Sequence, residues 1–220
     1  MTRSRTMVAL SGCVGAGKST AAKAIVQSLR AAGHPAEYVR FQEFTKLRPN
    51  AAARPDATRP AAATPDPNGS ADESRWIGYR RRRLTTDVTT GYVLRTLIFR
   101  SRLRRWPRET VLVFDRYFYD SLAHFDLDRG GLPLKLLMKA IPAPSIGALL
   151  FVREGTLLER RSNYSAEYAQ EIVHGYQQVA ERVPGLLVVP TDDFASVGDV
   201  AGRIVADVRA RIEQRTDGNA

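Results

Sequence analysis

"TMVALSGCVGAGKST" runs from Thr6 to Thr20, and its two halves carry different signals. Thr6 to Gly12 is short and apolar, with β-branched Val8, as a buried parallel strand requires. Gly12, Gly17, Lys18 and Ser19 then satisfy the pattern G-x-x-x-x-G-K-[ST]. Helix-favouring sequence follows from Lys18 to Ala32, and Gly33 stops it. Glycines let successive backbone N–H groups turn inward around an anion, and the helix N-terminus adds positive potential. Gly12, Cys13, Val14, Gly15, Ala16, Gly17, Lys18, Ser19 and Thr20 are therefore expected to cradle the phosphates of ATP. Lys18 reaches the β- and γ-phosphates in this reading, and the Ser19 hydroxyl is a ligand for Mg2+. By ordinary residue frequencies the pattern arises by chance in on the order of 1% of chains of this length.

Working outward, "AEYVRFQEF" (Ala36 to Phe44) alternates as a second strand would. "TVLVFD" (Thr110 to Asp115), "GALLFV" (Gly147 to Val152) and "GLLVVP" (Gly185 to Pro190) are continuous apolar runs. Helical periodicity spans Arg75 to about Arg105, with Tyr79, Leu84, Val88, Tyr92 and Leu97 as buried positions, and Pro107 ends it. Five strands alternating with helices predict an α/β, three-layer P-loop NTPase fold: a five-stranded parallel sheet flanked by helices, as one domain over residues 1–220. Ligands of such sheets bind at the carboxyl ends of the strands. The glycine loop, Glu43, Asp115, Arg153 and Asp192 all fall there.

Residues 45–74 have a different texture, rich in Ala and Pro, and five prolines between Pro49 and Pro67 forbid a regular helix. They are expected to form a mobile surface insertion, with ordering over a bound substrate left open. Residues 214–220 read as a disordered tail.

The acid closing "VLVFDRY" suits a metal-orienting role, and the arginine after it can touch a phosphoryl group in transfer. Asp115 is thus assigned to Mg2+ and Arg116 to the acceptor or transferring phosphate; the bland alternative is a surface Asp-Arg pair. In "LLERRSNYSAEYAQEIVHGYQQVAE", Arg160 and Arg161 precede the helix-poor "SNYS", which suggests a small arginine-bearing lid. Such arginines stabilise transition-state charge, whereas a solvated helix face is the competing reading.

The phosphate loop, "FDRYFYDSLAH" and "LLERR...GYQQVA" together resemble the thymidylate kinase family of P-loop nucleoside monophosphate kinases. That resemblance spans most of the chain outside the Ala/Pro-rich insertion. It implies that Tyr79, Arg80, Arg82 and Arg83 face the acceptor base, and that Arg116, Tyr117 and Ser121 lie near the acceptor. The catalytic set it suggests is Lys18, Arg116, Arg160 and Arg161, with ATP and Mg2+ as cofactors.

Three positions depart from the family pattern. Val14 stands where thymidylate enzymes usually carry an acid for the acceptor sugar, and an apolar side chain cannot make that hydrogen bond. "RFQEF" replaces the usual segment after the second strand, although Glu43 remains. In the related deoxynucleoside kinases an acid there is a general base toward an alcohol, which must lose a proton on attack; a phosphate acceptor is already anionic. "GYRRRR" is more basic than one base-binding arginine requires, and either binds an acceptor phosphate or is half solvated.

Across 220 residues, 33 Lys and Arg face 23 Asp and Glu, for a formal charge of +10. An anionic partner follows: nucleic acid, a membrane surface or a multiply phosphorylated small molecule. The leading expectation is a kinase acting on a nucleoside monophosphate-like acceptor. The alternatives are a nucleoside or other small-alcohol kinase using Glu43 as base, and a nucleic-acid-binding ATPase or polynucleotide kinase. Arguing against the last is the lack of a recognisable nucleic-acid module.

No apolar run approaches the ~20 residues that cross a bilayer, so no membrane partner and a cytoplasmic location are expected; a homodimer is left open. Cys13 is the single cysteine and excludes a disulfide framework. Its small size suits a tight loop, with redox sensing as the rarer reading. His34, His124 and His174 have no metal-ligand spacing and are expected to be structural or exposed.

Overall fold

Parallel strands cannot be joined by tight hairpins, so each apolar run must return through a helix before the next can pair. The computed structural model describes residues 5–46, 86–161 and 163–217. Its strands are β1 (Met7–Gly12), β2 (Ala36–Arg40), β3 (Val111–Asp115), β4 (Ile146–Phe151) and β5 (Leu186–Pro190). They form one parallel sheet in the order β2-β3-β1-β4-β5. From β1 the chain first builds toward β3 and β2 and later adds β4 and β5 on the other side. The strand order therefore reverses at β1, and the glycine loop leaves the sheet at that switch point.

Burial follows position in the sheet. Every residue of β1 and β3 is buried, and so is all of β4 except Phe151, whereas β2 and β5 at the edges are partly exposed. Helix α1 (Lys18–Ala31) packs Ala21, Ala22, Ile25 and Leu29 onto the core, each at 0% exposure. On the β2 side, Phe41, Phe99, Phe114, Tyr117 and Phe118 interlock, with ring centroids between 4.7 and 6.1 Å. This cluster anchors α2 (Phe41–Phe44), α3 (Thr86–Leu103) and α4 (Phe118–Leu122) to the sheet. Helices α5 (Gly131–Ala140), α6 (Glu154–Arg160), α7 (Ala166–Arg182) and α8 (Val197–Asp217) complete the layers. Among the described residues, no helix is long and apolar enough to cross a membrane.

Three sequence expectations are corrected. The second strand stops at Arg40, and Phe41 to Phe44 is one helical turn instead. Phe41 and Phe44 are three apart and both buried, a spacing that a turn of helix satisfies and a strand does not. Leu97 is 58% exposed. The inner face of α3 runs through Tyr92, Thr96, Phe99 and Leu103, with spacings of three and four, and Leu97 falls off it. Helix α8 continues to Asp217, so 214–217 are helical; propagation adds one hydrogen bond for each residue fixed. Leu84 and the segment from 47 to 74 lie outside the described residues.

Candidate active site

Gly12 can end β1 only as glycine. Its φ is 144°, and a Cβ there would sit 2.1 Å from the Leu150 carbonyl oxygen on β4. Gly15 and Gly17 also have positive φ, which turns the backbone through the loop and into α1. Lys18 is 7% exposed and donates Nζ to the carbonyls of Gly12 at 2.7 Å and Cys13 at 2.6 Å. Burial lowers its pKa, opposed by the negative charge of Asp120. Ala16 and Cys13 are buried beneath the loop, Val14 is half-buried, and Gly15, Ser19 and Thr20 are exposed. Burial also raises the Cys13 thiol to about 12, which fits a packing residue rather than a reactive one.

Asp115 lies at the end of β3, in register with Leu10 of β1 and Arg40 of β2. Its Oδ2 accepts hydrogen bonds from Ser19 Oγ at 2.6 Å and Tyr38 OH at 2.6 Å. Its Oδ1 is buried and has no hydrogen-bond partner. A buried carboxylate oxygen beside a loop serine suits a divalent cation. Among the described residues there is no group of three His, Cys, Asp or Glu that could hold a metal. A cation here would thus take one carboxylate and the Ser19 hydroxyl, and draw its remaining ligands from water and phosphates, as Mg2+ commonly does.

Arg116 has φ 71° and is the only described non-glycine residue with positive φ. Such a conformation costs on the order of 1–3 kcal/mol and persists where neighbours impose it. The neighbours are explicit: Asp115 is fixed in the sheet and Tyr117 is fixed in the core, so the strained residue between them is turned outward. Its side chain lines a cavity of about 630 Å3 with Val14, Arg95, Ser121, His124 and Tyr176. Tyr92, Phe125, Tyr164 and Tyr168 supply an aromatic wall. Arg95 is held by Nε donating to Thr45 Oγ1 at 2.8 Å and by its guanidinium lying 5.0 Å from the Phe41 ring centre.

Arg160 and Arg161 meet the glycine loop. Arg160 ends α6, donates Nη1 to the Gly15 carbonyl at 3.4 Å and lies 3.7 Å from Asp192 Oδ1. Arg161 Nε is 3.7 Å from where a Cβ on Gly15 would stand. Asp192 also accepts the Arg153 amide at 2.7 Å, so these two strand-end residues brace each other.

Other expected site residues are elsewhere. Tyr117 does not reach the cavity: it is 0% exposed in the aromatic cluster, and its hydroxyl donates to the Pro142 carbonyl at 2.5 Å. That assignment is corrected, because the ring fills the core that holds Arg116 in place. Glu43 lies on α2 in an exposed ion pair with Lys46 at 2.5 Å and does not line the cavity. Tyr79, Arg80, Arg82 and Arg83 lie outside the described residues.

Three residues that composition and spacing did not single out stand at the site. Asp120, 6% exposed, accepts from the Gly12 amide at 3.3 Å, the Tyr117 amide at 2.9 Å and Tyr176 OH at 3.0 Å. Tyr176 is on α7, some 50 residues away in sequence, and only the fold brings it here. His124 lines the cavity instead of being merely structural, and burial together with Arg116 pushes its pKa down to about 4.

No protein-family model matches the sequence, and no curated protein matches it either. Among solved structures the chain is similar to the YorR protein from Bacillus subtilis in complex with phosphorylated GDP, with a TM-score of 0.50 and 14% identity. That match covers 96% of this chain and 98% of the other. It is also similar to deoxyadenosine kinase from M. mycoides with bound dCTP, with a TM-score of 0.51 and 15% identity over 93% of this chain and 100% of that one. At these identities the likeness establishes a shared fold, the parallel sheet flanked by helices on both faces.

Proposed function

We propose that this chain is an ATP-dependent kinase that, with Mg2+, transfers the γ-phosphoryl group to a nucleoside monophosphate-like acceptor, in the manner of thymidylate kinases. The observation that carries this reading is the lining of the 630 Å3 cavity: Arg95 and Arg116 share it with five aromatic side chains, next to the phosphate loop at Val14. Two guanidinium groups suit a phosphate and aromatic faces suit a base. The nucleotides named with the two similar structures, dCTP and phosphorylated GDP, agree with a nucleotide site.

In this mechanism Lys18 and the loop amides hold the donor phosphates. Asp115 and Ser19 would hold Mg2+, which when bound offsets charge on the β- and γ-phosphates. Arg116 reaches the group in transfer from the acceptor side, and Arg160 and Arg161 reach it from the donor side across Gly15. Closure of the lid excludes water, which directs the phosphoryl group to the acceptor. No base is required, because a phosphate acceptor carries its nucleophilic oxygen already ionised.

An alcohol kinase using Glu43 is the second reading, favoured by the similarity to deoxyadenosine kinase. Against it, the Glu43 carboxylate is paired with Lys46 outside the cavity lining. Glu43→Gln separates the two. A monophosphate kinase keeps kcat within about threefold, whereas an alcohol kinase that loses its general base falls by about 10^2 or more.

A further inference from the structure

We propose that Tyr38 of β2 forms a hydrogen-bonded relay with Asp115 that orients its carboxylate toward a metal-bound nucleotide, and so sets the Mg2+ requirement of the site. This rests on the phosphate-loop reading above.

The register places the relay. Tyr38 pairs with Val113 and Arg40 with Asp115, so two alternate residues of β2 lie on one face beside the end of β3. Tyr38 donates its hydroxyl to Asp115 Oδ2 at 2.6 Å, and Ser19 donates to the same oxygen at 2.6 Å. Two donors on one oxygen fix the rotation of the carboxylate. They also leave Oδ1 as the oxygen without a hydrogen bond, buried at the mouth of the loop.

Packing alone does not require this arrangement. Tyr38 is only half-buried on an edge strand, so a phenylalanine would fill the same space. What the hydroxyl adds is direction. Partners of this kind behind a ligating carboxylate are worth about 10–100-fold in metal affinity.

The test is binding, not turnover. A fluorescent ATP analogue is titrated into the full-length protein, first with EDTA and then across a Mg2+ series, for wild type, Tyr38→Phe and Tyr38→Leu. The relay predicts that Tyr38→Phe keeps the metal-free Kd within about twofold and raises the half-saturating Mg2+ by about 10-fold or more. Tyr38→Leu, which also lacks the hydroxyl on the half-buried edge, gives the same shift and tests the relay even if Tyr38→Phe folds poorly. An unchanged Mg2+ midpoint in both variants overturns the proposal, as does an equal loss of affinity with and without metal, which marks a structural role. Failure of the wild-type protein to bind the analogue at any Mg2+ concentration overturns the phosphate-loop reading itself.

Discussion

Tyr176 donates its hydroxyl to Asp120 Oδ1 over 3.0 Å, and the Gly12 amide approaches the same oxygen at 3.3 Å. One buried carboxylate thus ties α7 to the first glycine of the glycine loop. Asp120→Ala leaves three donors without their acceptor, and each hydrogen bond to a charged group contributes roughly 1.5–3 kcal/mol. A loss of about 3–5 kcal/mol is expected, and about 1–2 for Tyr176→Phe, which removes one donor only. Urea unfolding of the two variants measures both; equal stabilities would contradict the shared-acceptor arrangement.

Two glycines of the same loop should respond differently to alanine. At Gly12 the new Cβ meets a backbone carbonyl of β4 at 2.1 Å, so β1 and β4 must separate and the protein should fail to fold. At Gly15, with φ 86° and only Arg161 Nε within 4 Å, the penalty is backbone strain of roughly 1–2 kcal/mol and the fold persists. Circular dichroism with thermal melting distinguishes a lost fold from a lowered Tm.

His124 makes stability depend on pH. Burial and Arg116 hold its folded pKa at about 4 against 6.5 for the free group. Between those values the unfolded chain binds the extra proton and the native one does not, so stability rises with pH across this window. The slope is about 1.4 kcal/mol per pH unit, and it vanishes above 6.5 where both states are neutral. His124→Gln should remove that component, seen as a flatter difference curve when the denaturant midpoints of variant and wild type are compared from pH 4.5 to 7.5.

Cys13, 0% exposed and with its thiol raised to about 12, should resist a thiol reagent at pH 8 until the protein unfolds. Rapid labelling of the native protein would mean that the loop opens.

What was legible in the sequence was local. The glycine spacing, Lys18 and Ser19 form one contiguous motif, and the three central strands are runs apolar on both faces, so the fold and the loop could be read directly. Arg160 and Arg161 were readable as a break in a helix, and both come to Gly15. The edge was harder: "AEYVRFQEF" alternates until Arg40, and only the core behind it decides that Phe41 and Phe44 share a turn of helix. The motif fixes the position of Tyr117 along the chain but not which way its ring turns, and the ring lies in the core. Arg116 at positive φ faces out while its neighbour fills the core. Asp120 and Tyr176, 56 positions apart, act together only through the tertiary fold.

The fate of the γ-phosphoryl group tests the proposed activity most directly. The protein is incubated with ATP, Mg2+, and a mixture of nucleosides and nucleoside monophosphates, and 31P NMR identifies the new phosphorus, with Lys18→Ala as the control. A monophosphate kinase produces, beside the ADP that any loss of the γ-phosphoryl leaves, the coupled signals of a second diphosphate, absent with Lys18→Ala. A new phosphomonoester signal, or inorganic phosphate alone, would contradict it in favour of an alcohol kinase or a simple ATPase.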